Sequence, residues 1–385
     1  MALLGAAMLA ACGGSSGGSS SAPSASASAA APFSSSSPVA VLDVPGSLAV
    51  VRKDGPGRFG VWRVTPSEAS QTRVCALPTE PYSVAVSPGG TRLAYIPLSF
   101  GPVFTTVDLP SGDVRRISLA GLGVKGIDAL TWISDTQLVV SGSRGGGAYG
   151  LAETDRLFVV SASTGRASAF RGLRGTEPSA APNVGTLVYA SLRTLSPGTA
   201  ANGHSPVVRE DLETLRIKGT HGPLAMATDT YRVYAAHRAF ANPFVSPDGR
   251  RVLSAITGSD VSAVYELRGK DGFYFSFNAP ATPLAAWSRD SDQVAFCGMD
   301  VLHDWDGGFR VWVLDLAGSA LSSMPLDPKL GSGFVDSLSW SAGGDLVVGD
   351  PGHGPMRPPR VIVARGGDLA APVTVTTGSL PVWVD

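Results

Sequence analysis

Val245-Ser246-Pro247-Asp248-Gly249-Arg250-Arg251-Val252-Leu253-Ser254 reads as the end of one strand, a tight turn and the start of the next strand. The same pattern stands at Val86-Ser87-Pro88-Gly89-Gly90-Thr91-Arg92-Leu93-Ala94-Tyr95. Looser copies are Trp287-Ser288-Arg289-Asp290-Ser291-Asp292-Gln293-Val294 and Trp340-Ser341-Ala342-Gly343-Gly344-Asp345-Leu346-Val347. Ser-Pro-Asp-Gly chemistry closes a hairpin, and the β-branched alternation after it marks a strand. A unit this short cannot bury its apolar faces alone, so recurrence implies stacked units.

A second recurrent turn follows each copy. Phe104 to Leu109 precedes Ser111-Gly112, and Leu157 to Val160 precedes Thr164-Gly165. Val207 to Leu212, Val264 to Leu267, Val311 to Leu316 and Val361 to Ala364 occupy the same place further on. The two turns together delimit repeats at 80–119, 126–170, 175–217, 240–277, 281–325 and 334–376. Each is expected to hold four strands, as propeller blades do. Ser47 to Arg52, Gly60 to Val64 and Thr72 to Ala76 form a partial unit without a first strand. Leu380-Pro381-Val382-Trp383-Val384 is a first strand without partners. The fragments complement each other, so the expected fold is an all-β propeller. Seven four-stranded blades are expected, closed by the C-terminal strand, which removes exposed sheet edges. The alternative is six blades with residues 40–76 as an added arm. Residues 218–239 fall outside the period and read as an insertion.

The first residues have different physics. Ala2 to Ala11 is an apolar run too short to span a bilayer, and it ends in Leu9-Ala10-Ala11-Cys12. Small residues before a cysteine resemble the bacterial lipoprotein signal. That resemblance implies a signal peptide at 1–11 and diacylation of Cys12, a palmitate-type anchor on the extracytoplasmic face of the cell membrane. Residues 13–37 are almost all Gly, Ser, Ala and Pro, with no charge. Such a tether has an r.m.s. reach of about 25–30 Å. The globular part is then a single domain at 38–385.

The Ser-Pro-Asp-Gly turn followed by Arg and apolar alternation resembles the WD40-like propeller repeat of the TolB family, over roughly residues 80–350. No Gly-His…Trp-Asp signature accompanies it, and a low-complexity tether stands where TolB has a separate domain. The TolB role in an outer-membrane translocation complex is therefore not carried over. The pattern is nearer to TolB-like lipoproteins of GC-rich Gram-positive bacteria.

The formal net charge is -1, which removes any broad attraction to nucleic acid or anionic lipid. The three cysteines are Cys12, Cys75 and Cys297. The last two fall in non-adjacent repeats and are expected as buried thiols without a bridge. No Gly-x-Ser-x-Gly elbow occurs, and the glycine run Gly142 to Gly147 lacks the Lys-Ser/Thr ending of a phosphate loop. None of the five histidines pairs at a metal-binding spacing.

The densest polar cluster is Asp300, His303, Asp304 and Asp306, a candidate ligand or metal loop between a second and a third strand. His353, Arg357 and Arg360 lie in a Pro-rich stretch that reads as a candidate interaction loop. Arg144, Arg171, Arg174, Arg193 and Arg238 are placed in connecting segments. The leading functional expectation is a monomeric, non-catalytic binding module for a cell-envelope protein or glycan, with no cofactor. The rival is a propeller enzyme, a lactonase or a glycoside-active or sugar-oxidising protein, with acids at the channel mouth. A small-molecule sensor is a weaker third. The positions of Asp128, Asp336 and the Asp300 cluster separate the first two.

Overall fold

The computed structural model describes residues 38–144, 156–196, 207–217, 221–223, 229–232, 240–256, 261–267, 273–276, 284–299, 309–318, 320–325, 335–352 and 358–384. In chain order the strands are β1 (Leu48–Gly55), β2 (Arg58–Thr65), β3 (Ser70–Leu77), β4 (Pro81–Val86), β5 (Arg92–Pro97), β6 (Val103–Asp108), β7 (Val114–Ser118), β8 (Gly126–Ser134), β9 (Gln137–Ser143) and β10 (Arg156–Ser161). There follow β11 (Ala167–Arg174), β12 (Thr176–Ala181), β13 (Thr186–Ser196), β14 (Val207–Arg216), β15 (His221–Pro223), β16 (Asp229–Arg232), β17 (Phe240–Val245), β18 (Arg251–Ile256), β19 (Val261–Glu266) and β20 (Phe273–Ser276). The last are β21 (Ala285–Trp287), β22 (Gln293–Met299), β23 (Phe309–Asp315), β24 (Ala320–Pro325), β25 (Ser337–Trp340), β26 (Leu346–Asp350), β27 (Arg360–Ala364), β28 (Val373–Thr377) and β29 (Ser379–Trp383).

The fold is an all-β propeller. Its described strands form the sheets β4–β7, β8–β11, β12–β16, β17–β20, β21–β24, β25–β28 and β29-β1-β2-β3, in which all paired strands are antiparallel. β29 pairs with β1 through Leu48↔Trp383 and Ala49↔Val382, so the two ends of the described chain share one sheet. The innermost strands adjoin in succession, β4 to β8, β8 to β12, β12 to β17, β17 to β21, β21 to β25, β25 to β29 and β29 to β4.

The core lies between neighbouring sheets. Phe104 and Ile117 of one sheet pack with Leu138 and Phe158 of the next. On β29 the period of two is visible: Leu380 and Val382 face the β4–β7 sheet, while Trp383 faces the β25–β28 sheet. Residues of the innermost strands supply part of this core. Trp287 is buried, and Val84, Val86, Ala285, Leu338 and Trp340 pack partly buried against the same clusters.

The recurrent turn has a physical explanation at each position. Ser87, Ser246, Ser288 and Ser341 are buried, and each hydroxyl oxygen accepts the amide that opens the next strand, from Arg92, Arg251, Gln293 and Asp345, at 2.9–3.1 Å. Three residues after each serine the chain must take a left-handed conformation: Gly90 (φ 66°), Gly249 (φ 66°), Ser291 (φ 66°) and Gly344 (φ 87°). Glycine adopts that conformation without strain, which is why it recurs there. The arginine after the turn ties sheets together: Arg92 donates to the Asp135 carbonyl (2.8 Å) and Arg251 to the Ser291 carbonyl (3.0 Å). A tryptophan near the end of the inner strand does the same. Trp132, Trp287 and Trp340 donate their indole N–H to Ala85, Phe244 and Ala286 of the preceding sheet at 3.1, 2.8 and 3.0 Å.

One expectation is corrected. The segment 218–239 is not wholly an insertion, because β15 pairs with one end of β14 and β16 with the other. This outer strand is split and poor in β-branched residues, so no period marked it. Cys75 and Cys297 sit in different sheets and form no bridge. Cys297 is buried as expected, whereas Cys75 is only half-buried.

Candidate binding face and the seam beneath the last strand

Each innermost strand starts at one face of the propeller and runs toward the Ser-Pro-Asp-Gly turns at the other. Antiparallel pairing therefore returns every connection between a second and a third strand to the first face. In the sequence, Asp300, His303, Asp304 and Asp306 fall between β22 and β23, and His353 and Arg357 between β26 and β27. Those four residues, His353 and Arg357 lie outside the described residues, as do Cys12 and Arg238. Arg360 is described. It is the first residue of β27 and is held by Asp350 of β26, with Nη2 and Nε at 2.6 and 3.0 Å from Oδ2.

The other arginines are redistributed. Arg171 and Arg174 belong to β11 and Arg193 to β13, because these strands run longer than their apolar cores. Arg144 follows β9 on the same face and donates to the Leu122 carbonyl at 2.8 Å. Asp128 is exposed at a bulge near the start of β8, while Asp336 precedes β25 in a different sheet. The two acids are thus not brought together. Among the described residues no group of three or more His, Cys, Asp or Glu side chains is placed to hold a metal.

The face does carry an apolar feature that sequence reasoning missed. Tyr82 sits at a bulge of β4 between Pro81 and Ser83, opposite the turn that joins β5 to β6. Bulges re-aim side chains and are common at barrel rims. Tyr82 and Phe100 meet edge-to-face, with centroids 4.7 Å apart and planes at 63°. They remain 50% exposed each, and Leu98 beside them is 48% exposed. Phe100 holds φ at 49°, an uncommon conformation for a bulky side chain that costs about 1–3 kcal/mol. Its amide donates to the Pro97 carbonyl at 3.1 Å, and the Leu98 amide to that of Glu80 at 2.9 Å. The detectable signal was an aromatic at each mouth of one hairpin, each next to a proline or glycine.

The second feature lies at the seam between the β25–β28 sheet and β29. Asp336 accepts the Leu380 amide, and the Ser337 hydroxyl stands 3.3 Å from Asp336 Oδ1 and 3.0 Å from the Pro381 carbonyl. Asp336 Oδ2 is shut off from solvent with no hydrogen-bond partner among the described residues. Burial pushes this carboxyl up to about 7, and the nearby Asp350 charge adds to the rise against the Leu380 and Ser337 hydrogen bonds. On β1, buried Arg52 completes the seam. It donates to the Thr377 carbonyl (2.9 Å), the Thr376 hydroxyl (2.7 Å) and Gln71, and its guanidinium lies 5.3 Å from the Trp62 ring. Burial lowers its pKa, opposed by Asp54.

Gly349 explains how closely the seam packs. A Cβ there stands 1.8 Å from Asp336 Oδ1 and 2.7 Å from Pro381 Cδ. Gly349→Ala is therefore expected to destabilise the protein by about 1–3 kcal/mol through overpacking. Urea denaturation measures this, and an unchanged midpoint contradicts the packing described.

No family model matches the sequence, and no curated protein matches it. Solved structures do. The β-propeller domain of the trilobed protease from Pyrococcus furiosus, described as having an open velcro topology, aligns with TM-score 0.56 at 12% identity, over 89% of this chain and 96% of that one. This likeness shows the fold alone. TolB from Acinetobacter baumannii aligns with TM-score 0.47 at 12% identity, over 87% of this chain and 81% of its own. A putative TolB from Agrobacterium tumefaciens gives 0.44 at 15%, over 70% and 89%.

Proposed function

We propose that this chain is a membrane-anchored, extracytoplasmic β-propeller of seven blades that acts as a non-catalytic binding module for a cell-envelope protein or glycan. One blade per sheet is supported by the strand orders and by the unbroken succession of innermost strands. The anchor is supported by Leu9-Ala10-Ala11-Cys12 and the uncharged tether after it. Binding is carried by one observation, the exposed Tyr82–Leu98–Phe100 ledge on the face that receives the connection between β5 and β6. Aromatic rings supply large contact area with little side-chain entropy to lose, and tyrosine is enriched in binding hot spots. Phe100 keeps a bulky ring half-exposed at a positive φ that glycine would adopt without strain.

The test is the pair Tyr82→Ala with Phe100→Gly in the full chain. Stability is expected to hold, because relief of the positive φ offsets the lost edge-to-face contact and the added freedom of the unfolded chain. Saturable binding to isolated cell envelope is expected to weaken by at least tenfold. Retained affinity in a folded variant contradicts the ledge as binding site, and turnover by the purified chain contradicts the non-catalytic reading.

A further inference from the structure

We propose that Asp336 is a proton-operated latch on β29: its neutral carboxyl holds the C-terminal strand against β25 and β26, and loss of the proton to water loosens that seam. The geometry carries the idea. Asp336 reaches the one strand that joins the C-terminus to the N-terminal sheet, through the Leu380 amide and the shared Ser337 hydroxyl. Its Oδ2 is shut off from solvent without a partner among the described residues, so a negative charge is compensated only through the Leu380 and Ser337 hydrogen bonds, which burial outweighs. The carboxyl packs so closely on Gly349 that no side chain fits between them. β29 itself takes a left-handed conformation at Leu380 (φ 50°), so the strand starts under strain at this point.

Among the described residues, the charged groups around the seam do not neutralise that charge. β26 contributes Asp350, which is itself acidic and is engaged by Arg360 of β27. β1 contributes Arg52, committed to Thr376, Thr377 and Gln71. β25, β28 and β29 contribute no charged side chain within their spans.

The sign follows from linkage. The folded-state value near 7 lies above the ordinary 3.8. The native state thus holds the proton more tightly than the unfolded chain. The contribution is complete below the ordinary carboxylate range, declines as pH rises, and is lost once pH passes about 7. Acidification closes the latch and mild alkalinity opens it.

Hydrogen exchange of the full chain tests this from pH 5.5 to 8.5, corrected for the intrinsic rate at each pH. Peptides covering β29 are compared with peptides covering β8 and β9. In the wild type the β29 protection factor is expected to fall at least tenfold with a midpoint within one unit of 7, while the β8–β9 peptides stay flat. Asp336→Asn, which keeps an oxygen acceptor for the Leu380 amide but holds no charge, is expected to abolish the step. A flat wild-type β29 profile, a midpoint elsewhere, or an equal step in the asparagine variant overturns the latch. If that variant does not fold, the wild-type midpoint and the contrast with β8–β9 decide alone.

Discussion

Truncation after Gly378, removing β29, is expected to abolish cooperative folding of the whole propeller. The removed residues include Leu380, Val382 and Trp383 of the strand and Val384 just after it, each below 8% exposed. At about 1.5–3 kcal/mol for each large apolar side chain, the direct loss is roughly 6–12 kcal/mol. That is the size of the entire stability of an ordinary domain, about 5–15 kcal/mol. The loss also spreads, because Leu48, Val50, Val61, Val347 and Leu93 in two adjoining clusters each lose a covering side chain. The β1 edge is left unpaired and open to association. Thermal scans of the truncated chain are expected to show no sharp transition or one lowered by more than 10 °C. A peptide of residues 379–385 added in trans is expected to restore it in part. An unchanged melting temperature contradicts the shared sheet.

The second large effect is at Trp132. Its ring is 3% exposed and lies in the cluster between the β4–β7 and β8–β11 sheets, while its N–H donates to the Ala85 carbonyl. Trp132→Ala removes both the filling and the tie, for about 3–5 kcal/mol. Scaling the usual unfolding entropy to a domain of this length, Tm falls by about 4–7 °C. Trp132→Phe keeps most of the filling and loses the hydrogen bond, with an expected cost of about 1–2 kcal/mol. The two variants separate packing from tethering. Equal losses in both assign the whole effect to the hydrogen bond and contradict the packing role.

The propeller was legible in the sequence because its decisive interactions are local. A serine that caps its own turn and a residue with positive φ three places later leave the same signature at four of the turns, since only a few residue types serve. Ser291 shows how far that tolerance extends: it takes the glycine position while its hydroxyl accepts the Asp248 amide of the preceding turn at 3.1 Å. The lone C-terminal strand was legible from alternation, because Leu380, Val382 and Val384 share one face.

What escaped detection depends on distant parts of the chain. The Tyr82–Phe100 ledge exists because two distant stretches return to one face, and the neighbouring Pro81 and Gly101 mark each ring's turn but not their meeting. Asp336 looks like any strand-flanking aspartate until Leu380 and Pro381, over forty residues later, close on it. The split outer strand of the β12–β16 sheet has pairing without an apolar pattern, so backbone hydrogen bonding alone defines it.

The measurement that reaches the functional claim most directly is equilibrium binding of the labelled full chain to isolated cell envelope, wild type against the Tyr82→Ala, Phe100→Gly double variant. The account expects saturable wild-type binding and at least a tenfold weaker variant whose thermal stability is retained. Equal binding by a folded variant, or wild-type binding that never saturates, contradicts it.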